Sequence, residues 1–227
     1  MKRRLQLPIS YHYDVKPGSE PKLLLCLHGY AQELADAQQF GQKIALPWTR
    51  AALQAPYPHH RTQGRGQGRR IVGSSFSWVS SFEPDEAIAN HHAFVRHVVD
   101  ELYAEGLAAE RRAVLFGFSQ SVSLNYRFAA AYPDYTAGII AVAGATPSSW
   151  NEALPTLKMP VLHISATEDP AYPAKRAAQF RAQLEACCSR LTWHEEPGGH
   201  RVPSAAYRVM RAWTQGGNAH GGEPHAR

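Results

Sequence analysis

The segment from Ala113 to Ala130 constrains this chain more than any other. Ala113-Val114-Leu115-Phe116 is a short, continuous apolar run, the pattern of a strand buried on both faces. Val122-Ser123-Leu124-Asn125-Tyr126-Arg127-Phe128-Ala129-Ala130 reads as a helix. Only Gly117-Phe118-Ser119-Gln120-Ser121 lies between them. A strand that enters a helix through so short a link must turn sharply, and small flanking residues let the turn close without side-chain clashes. A serine at such a turn is pushed out of the sheet, with its hydroxyl exposed above the strand's carboxyl end. The pattern is close to G-x-S-x-G, with Ser121 in place of the closing glycine; serine is small enough for the turn to survive. Ser119 also has an ordinary reading, as a helix N-cap that accepts orphan backbone N–H groups.

The downstream sequence separates these readings. A serine nucleophile needs a histidine base and an acid to orient it, in the chain order Ser, Asp/Glu, His for this kind of turn. Asp169 follows the strand-like run Val161-Leu162-His163-Ile164-Ser165, in Ala166-Thr167-Glu168-Asp169-Pro170. His200 follows Leu191-Thr192-Trp193-His194, in Pro197-Gly198-Gly199-His200. Each lies just past the end of a candidate strand, and the carboxyl ends of parallel strands are where α/β sheets place their sites. Glu168 is a rival to Asp169 by adjacency. Leu23-Leu24-Leu25-Cys26-Leu27 is another buried run, followed directly by His28-Gly29-Tyr30. Acyl transfer needs two N–H donors aimed at the developing oxyanion. Gln120, the residue after the serine, and Tyr30 are the expected donors, with Ala31 as the neighbour that could serve instead.

With these pieces in place the chain resembles the α/β-hydrolases of the carboxylesterase/phospholipase family, which includes acyl-protein thioesterases and small bacterial carboxylesterases. The resemblance is carried by Leu27-His28-Gly29, Gly117-Phe118-Ser119-Gln120, Thr167-Glu168-Asp169-Pro170 with Pro173 beyond it, and Gly199-His200. Phe76-Ser77-Trp78-Val79 resembles the family's aromatic segment between the fourth strand and the following helix. These landmarks run from about Leu23 to His200. The resemblance implies Asp169 as the acid in preference to Glu168. Two departures stand out: Tyr30-Ala31-Gln32 replaces the family's leucine-glycine-aspartate, and Ser121 replaces the closing glycine.

Alternating strands and helices predict an α/β fold with a mostly parallel, twisted sheet and helices on both faces. Arg3 to Tyr13 is expected as an antiparallel edge strand, and Ala51 to Ala55 as a strand ended by Pro56 and Pro58. Glu33 to Leu46 reads as a helix. Glu86 to Ala104 is amphipathic, with Ile88, His92, Val95, Val99 and Leu102 on one stripe. Gly138 to Val142 and Met159 to Ser165 are further strands. Ala174 to Cys187 is a helix, Arg190 to His194 the last strand and Pro203 to Thr214 the closing helix. Residues 1–215 are expected to form one domain, and 216–227, rich in Gly, His and Pro, a disordered tail. The link Ala143 to Lys158 is too short for a cap domain. The expected site is therefore an open cleft, with Phe76, Trp78 and Tyr30 as candidate acyl-pocket residues.

Of the 227 residues, 44% are hydrophobic and 19% charged, ordinary for a globular domain with a sizeable core. The net charge of +5 has a local source in the Gly/Arg stretch 61–70, which contains Arg61, Arg65, Arg69 and Arg70. It lacks interleaved aromatics and reads as a solvated mobile loop, so no nucleic-acid partner is expected. No stretch approaches the about 20 apolar residues of a membrane span. Met1-Lys2-Arg3-Arg4 is followed by no apolar signal core, so a cytoplasmic protein without stable membrane insertion is expected. Three cysteines and twelve histidines show no disulfide framework and no metal-ligand spacing. The expected enzyme is a cofactor-free serine esterase acting on a small-molecule ester, with homodimerisation left open. A lysophospholipase or acyl thioesterase would use the same residues, and a non-catalytic binding protein on this scaffold is the reading from another class.

Overall fold

The computed structural model describes residues 10–64 and 68–216. The buried runs become a seven-stranded sheet. Its strands are β1 (Tyr13–Lys16), β2 (Glu20–Leu27), β3 (Trp48–Leu53), β6 (Ala113–Phe118), β7 (Thr136–Val142), β8 (Val161–Ala166) and β9 (Leu191–Glu196). They lie in the order β1-β3-β2-β6-β7-β8-β9. β1 pairs antiparallel with β3, and every other pair is parallel. The antiparallel edge strand is thus present but displaced. Its paired residues begin at Tyr13, because Tyr13 and Val15 carry the inward alternation onto the core. Residues 3–9 of the expected strand lie outside the described residues.

Because the central strands are apolar throughout, successive side chains feed opposite layers. Leu24, Cys26, Val114, Phe116 and Phe118 point to one face, where they meet α1 (Leu34–Ile44) and α5 (Ala206–Thr214). Leu23, Leu25, Leu27, Ala113 and Leu115 point to the other, under α2 (Pro84–Ala104) and α3 (Gln120–Ala131). Ile139, Ala141 and Val161 continue that second layer to α3 and α4 (Ala174–Cys187). The sheet is therefore covered on both faces, as the alternation of elements predicts. In α2 the buried stripe is His91, Phe94, Val95, Val98, Val99 and Leu102. It is turned by about one residue from the predicted one, because His91 rather than His92 packs edge-on against the Trp78 ring, 5.5 Å away.

The stretch between β3 and α2 differs more. β4 (Tyr57–Gln63) and β5 (Arg70–Ser77) pair antiparallel as a separate two-stranded sheet. Arg61 and Arg70, read as part of a mobile loop, belong to these strands, while residues 65–67 lie outside the described residues. The pairing escapes pattern reading because most of β4 is exposed, so no face demands apolar side chains. Between β7 and β8 the chain makes only one short 3₁₀ turn, Ser148–Asn151. The predicted tail lies, from residue 217 on, outside the described residues. Among the described residues no helix is long and apolar enough to cross a membrane.

Candidate active site

β6 delivers Phe118 to the carboxyl edge of the sheet, and α3 begins at Gln120. Ser119 between them takes φ 56° and ψ −112°. For a non-glycine residue this region costs about 1–3 kcal/mol and persists only where the surroundings over-determine it. They do so here. Ser119 N–H donates to Val142 O at 3.0 Å, and Ser119 O accepts from Val122 N–H at 3.1 Å. A Cβ on Gly117 would lie 2.7 Å from Asn125 Nδ2, and one on Gly144 would lie 2.3 Å from Val122 Cβ. Ser121 is fully buried. Its Oγ accepts from Phe118 N–H at 3.0 Å and is placed to donate to Leu27 O at 3.0 Å or Phe118 O at 3.1 Å. The residue that departs from the motif therefore ties the turn to the end of β2. The Ser119 side chain makes no capping bond to α3.

The Ser119 hydroxyl lies 2.9 Å from His200 Nε2, and His200 Nδ1 lies 2.8 Å from Asp169 Oδ2. The loops after β8 and β9 thus bring to the serine the two residues predicted from their positions. The Asp169 carboxylate is almost wholly buried. Its second oxygen, Oδ1, accepts from Ala171 N–H at 2.8 Å and Tyr172 N–H at 3.1 Å. A carboxylate only accepts, so Nδ1 of His200 carries the ring proton and Nε2 presents its lone pair to Ser119. The Phe118 ring, 5.1 Å from the imidazole, and the Tyr172 ring, 5.6 Å away, hold it in place. The Glu168 side chain is exposed, and its backbone N–H donates to Gly198 O at 2.9 Å.

On the other side of Ser119 lies the loop after β2. Ala31 N–H donates to Phe76 O, and Phe76 N–H donates to Gln32 O, both at 2.9 Å. Gly29 N–H donates to Gln32 Oε1 at 2.6 Å. Among the described residues no acceptor faces Tyr30 N–H, whereas Ala31 N–H is occupied. Gln120 is the first residue of α3, and its N–H is one of the orphan donors of a helix start. His28 is buried beneath the loop. Its Nε2 accepts from Ala55 N–H at 3.1 Å, so Nδ1 carries the proton and donates to Gly29 O at 2.8 Å. Burial holds its pKa below the ordinary histidine value, and the ring is a neutral strut.

Trp78 does not line the cleft, contrary to expectation: its side chain is 0% exposed. Its indole N–H donates to His28 O at 2.8 Å, and its backbone N–H donates to Gln120 Oε1 at 2.8 Å. It braces the β2 loop against the serine turn. Phe76 is half-buried and clamps the same loop through its backbone. Tyr30 is 59% exposed, with its ring 5.5 Å from that of His59 in β4. Sequence reasoning missed Ser121 as a buried tie, and it missed Tyr172. An aromatic three residues after the acid was the available signal for the latter. Among the described residues no three His, Cys, Asp or Glu side chains converge as metal ligands.

Comparison with known proteins gives the family and the fold. Residues 15–215 match the family described as Phospholipase/Carboxylesterase. The esterase-named protein NocK of Nocardia uniformis subsp. tsuyamanensis is 36% identical over 106 residues. That match takes in 45% of this chain and 31% of NocK, so the chain spans about a third of that relative. The Bacillus cereus carboxylesterase structure has a TM-score of 0.68 at 16% identity, covering 91% of this chain and 94% of its own. The Mesorhizobium loti carboxylesterase gives 0.71 at 16%, covering 94% and 98%. The Dyadobacter fermentans phospholipase/carboxylesterase gives 0.64 at 20%, covering 91% and 97%. At these identities the structures speak for a shared α/β-hydrolase fold. The family match spans most of the chain, and the chain belongs to the phospholipase/carboxylesterase family of hydrolases.

Proposed function

We propose that this protein is a serine carboxylesterase that works through an acyl-enzyme. The observation that carries this reading is the unbroken hydrogen-bonded chain from Asp169 through His200 to Ser119. Asp169 holds His200 in the tautomer that accepts the Ser119 proton, and Ser119 attacks the ester carbonyl. Tyr30 and Gln120 N–H groups receive the oxyanion. His200 then protonates the departing alcohol and later takes a proton from the water that releases the acid. No cofactor takes part. The substrate is a small ester with a short acyl chain. The short Ala143–Lys158 link supports this, because an open cleft buries few methylenes and each buried CH₂ is worth about 0.8 kcal/mol. The single-domain organisation and cytoplasmic location read from the sequence belong to the same proposal.

The test is covalent labelling by a fluorophosphonate together with a p-nitrophenyl ester series from acetate to laurate. Labelling is expected in the unmodified protein and absent in Ser119→Ala, whose ester turnover should fall to near background with the fold intact. kcat/KM should be flat or falling beyond about six to eight carbons, since an open cleft buries little of a long chain. A steady rise to twelve or more would make the protein a long-chain lysophospholipase or thioesterase, and an unlabelled Ser119 would make it a binding protein on this scaffold.

A further inference from the structure

The β4–β5 hairpin beside the β2 loop carries cations and no carboxylate. No Asp or Glu occurs between Asp36 and Glu83, whereas β4 and β5 hold His59, His60, Arg61 and Arg70, with Arg69 just before β5. The side-chain partners of two of these arginines are neutral. Arg69 Nε donates to Thr62 Oγ1 at 3.0 Å, and Arg70 Nη2 donates to Gln63 Oε1 at 3.2 Å. Arg61 is exposed, and its guanidinium has no hydrogen bond or ion pair among the described residues. Glu33 and Asp36, the carboxylates that follow the Tyr30 loop, are engaged in the capping box at the start of α1.

Register decides which of these cations faces the site. β5 runs directly into Trp78, whose N–H donates to Gln120 Oε1 at 2.8 Å. The base of the hairpin, Tyr57 opposite Ser77, therefore stands beside the serine turn. Residues two apart on a strand share a face, which puts His59 and Arg61 in line on β4. His59 lies opposite Ser75, and Arg61 opposite Gly73. The His59 ring is 5.5 Å from that of Tyr30, and its Nε2 is 2.8 Å from Ser77 Oγ. Ser77 gives its one proton to Val79 O at 3.1 Å, so Nε2 is the donor and the ring is fixed beside Tyr30. Arg61 is the next residue on this face. Its Nη2 lies 3.7 Å from where a Gly73 side chain would begin, so the guanidinium spreads over bare backbone. Four residues of strand separate Arg61 from Tyr57, about 13 Å at about 3.3 Å per residue.

We propose that this strip is a specificity site, and that the esters this protein takes carry an anionic group, beyond the scissile bond, that docks on Arg61. This rests on the esterase reading above and narrows its substrate class. An open cleft buries few methylenes, so apolar contact gives it little hold on a substrate. A charge at the far end of the substrate supplies that hold. The unpaired guanidinium offers a planar fork of N–H donors that suits an oxyanion group, and the absence of carboxylates on the hairpin leaves nothing on it to compete. Tyr30 and His59 lie between that fork and the serine turn, so the chain joining ester to anion runs along their rings.

The experiment measures KM and kcat for two pairs of esters matched in length, below micelle concentrations. One pair places the charge on the acyl part: mono-p-nitrophenyl suberate against p-nitrophenyl octanoate. The other places it on the alcohol part: 8-butanoyloxyoctanoate against octyl butanoate. In at least one pair the charged ester should show a KM about three- to fivefold lower at low salt, the scale of an exposed guanidinium–carboxylate contact, with kcat similar. Sodium chloride at about 0.5 M should remove most of that difference, because exposed charges are screened. Arg61→Gln should raise the KM of the charged ester to that of its neutral partner, with fluorophosphonate labelling of Ser119 as the check on folding. Equal KM values within both pairs, or a preference for the charged ester that survives in a labelled Arg61→Gln protein, would overturn the inference while leaving the esterase reading standing. An unmodified protein that is unlabelled and hydrolyses none of the four compounds would remove that reading, and this inference with it.

Discussion

The two loops that flank Ser119 are fastened in opposite ways. The acid loop after β8 fastens itself: Asp169 accepts from amides two and three residues further on and reaches His200 with its other oxygen. The loop after β2 is fastened from outside. Trp78 holds the His28 carbonyl, Phe76 holds Ala31 and Gln32, and both come from the end of the β4–β5 hairpin or just beyond it. The first arrangement is encoded in a few consecutive residues. The second requires a distant segment to be in place, so the loop that carries Tyr30 leans on the hairpin and the loop that carries Asp169 does not.

The largest effect expected from breaking this comparison is at the self-fastened side. Asp169→Asn should lower kcat about 10³- to 10⁴-fold, because the amide no longer selects the Nδ1–H tautomer of His200. Steady-state kinetics on protein with an unchanged melting profile would measure it. Glu168→Gln, one residue away, should change kcat several-fold at most. Were the two effects swapped, the local encoding of the acid would be lost.

An intermediate effect is expected from outside fastening. Trp78→Phe keeps most of the buried ring but leaves the His28 carbonyl without its donor, a cost of about 1–3 kcal/mol. If the β2 loop depends on that bond, kcat should fall by about tenfold while KM moves little, as for a contact made in the transition state. Unchanged kcat in a destabilised Trp78→Phe protein would show that the loop holds its shape alone.

The smallest effect sharpens the same contrast through pH. His91 packs behind Trp78, and both of its ring nitrogens are buried without a partner. Burial lowers its pKa to about 3 from the ordinary 6.5. The folded protein therefore binds fewer protons than the unfolded chain between these values, and stability falls as pH drops through 6.5. His91→Phe should remove about 1 kcal/mol of the loss between pH 7 and 5.5. Urea unfolding at the two pH values measures the difference, and an unchanged slope would mean that His91 does not carry it.

The contrast also explains what the sequence could reveal. Ser119 and Asp169 each follow a wholly buried apolar run, His200 follows the half-buried edge strand β9, and their chain order is itself a constraint. Helix α2 carries a periodic stripe and strand β6 a continuous apolar run, because the first packs one face and the second both. The hairpin has no such face, and β4 reads as a polar, proline-containing loop although every one of its residues has a register partner in β5. Trp78 looked like a cleft aromatic because whether an aromatic faces in or out is decided by tertiary packing. Tyr172 carried only its spacing from the acid as a signal, and its packing against His200 depends on how the acid loop folds.

Ser121 carries a warning for anyone who would engineer this protein by restoring the closing glycine of the G-x-S-x-G pattern. Glycine there would remove a buried hydroxyl and leave Phe118 N–H without its Ser121 partner. The turn that presents Ser119 is built around a hydroxyl. That substitution would at this position unlatch the strand end that carries Leu27 from the turn that carries Ser119.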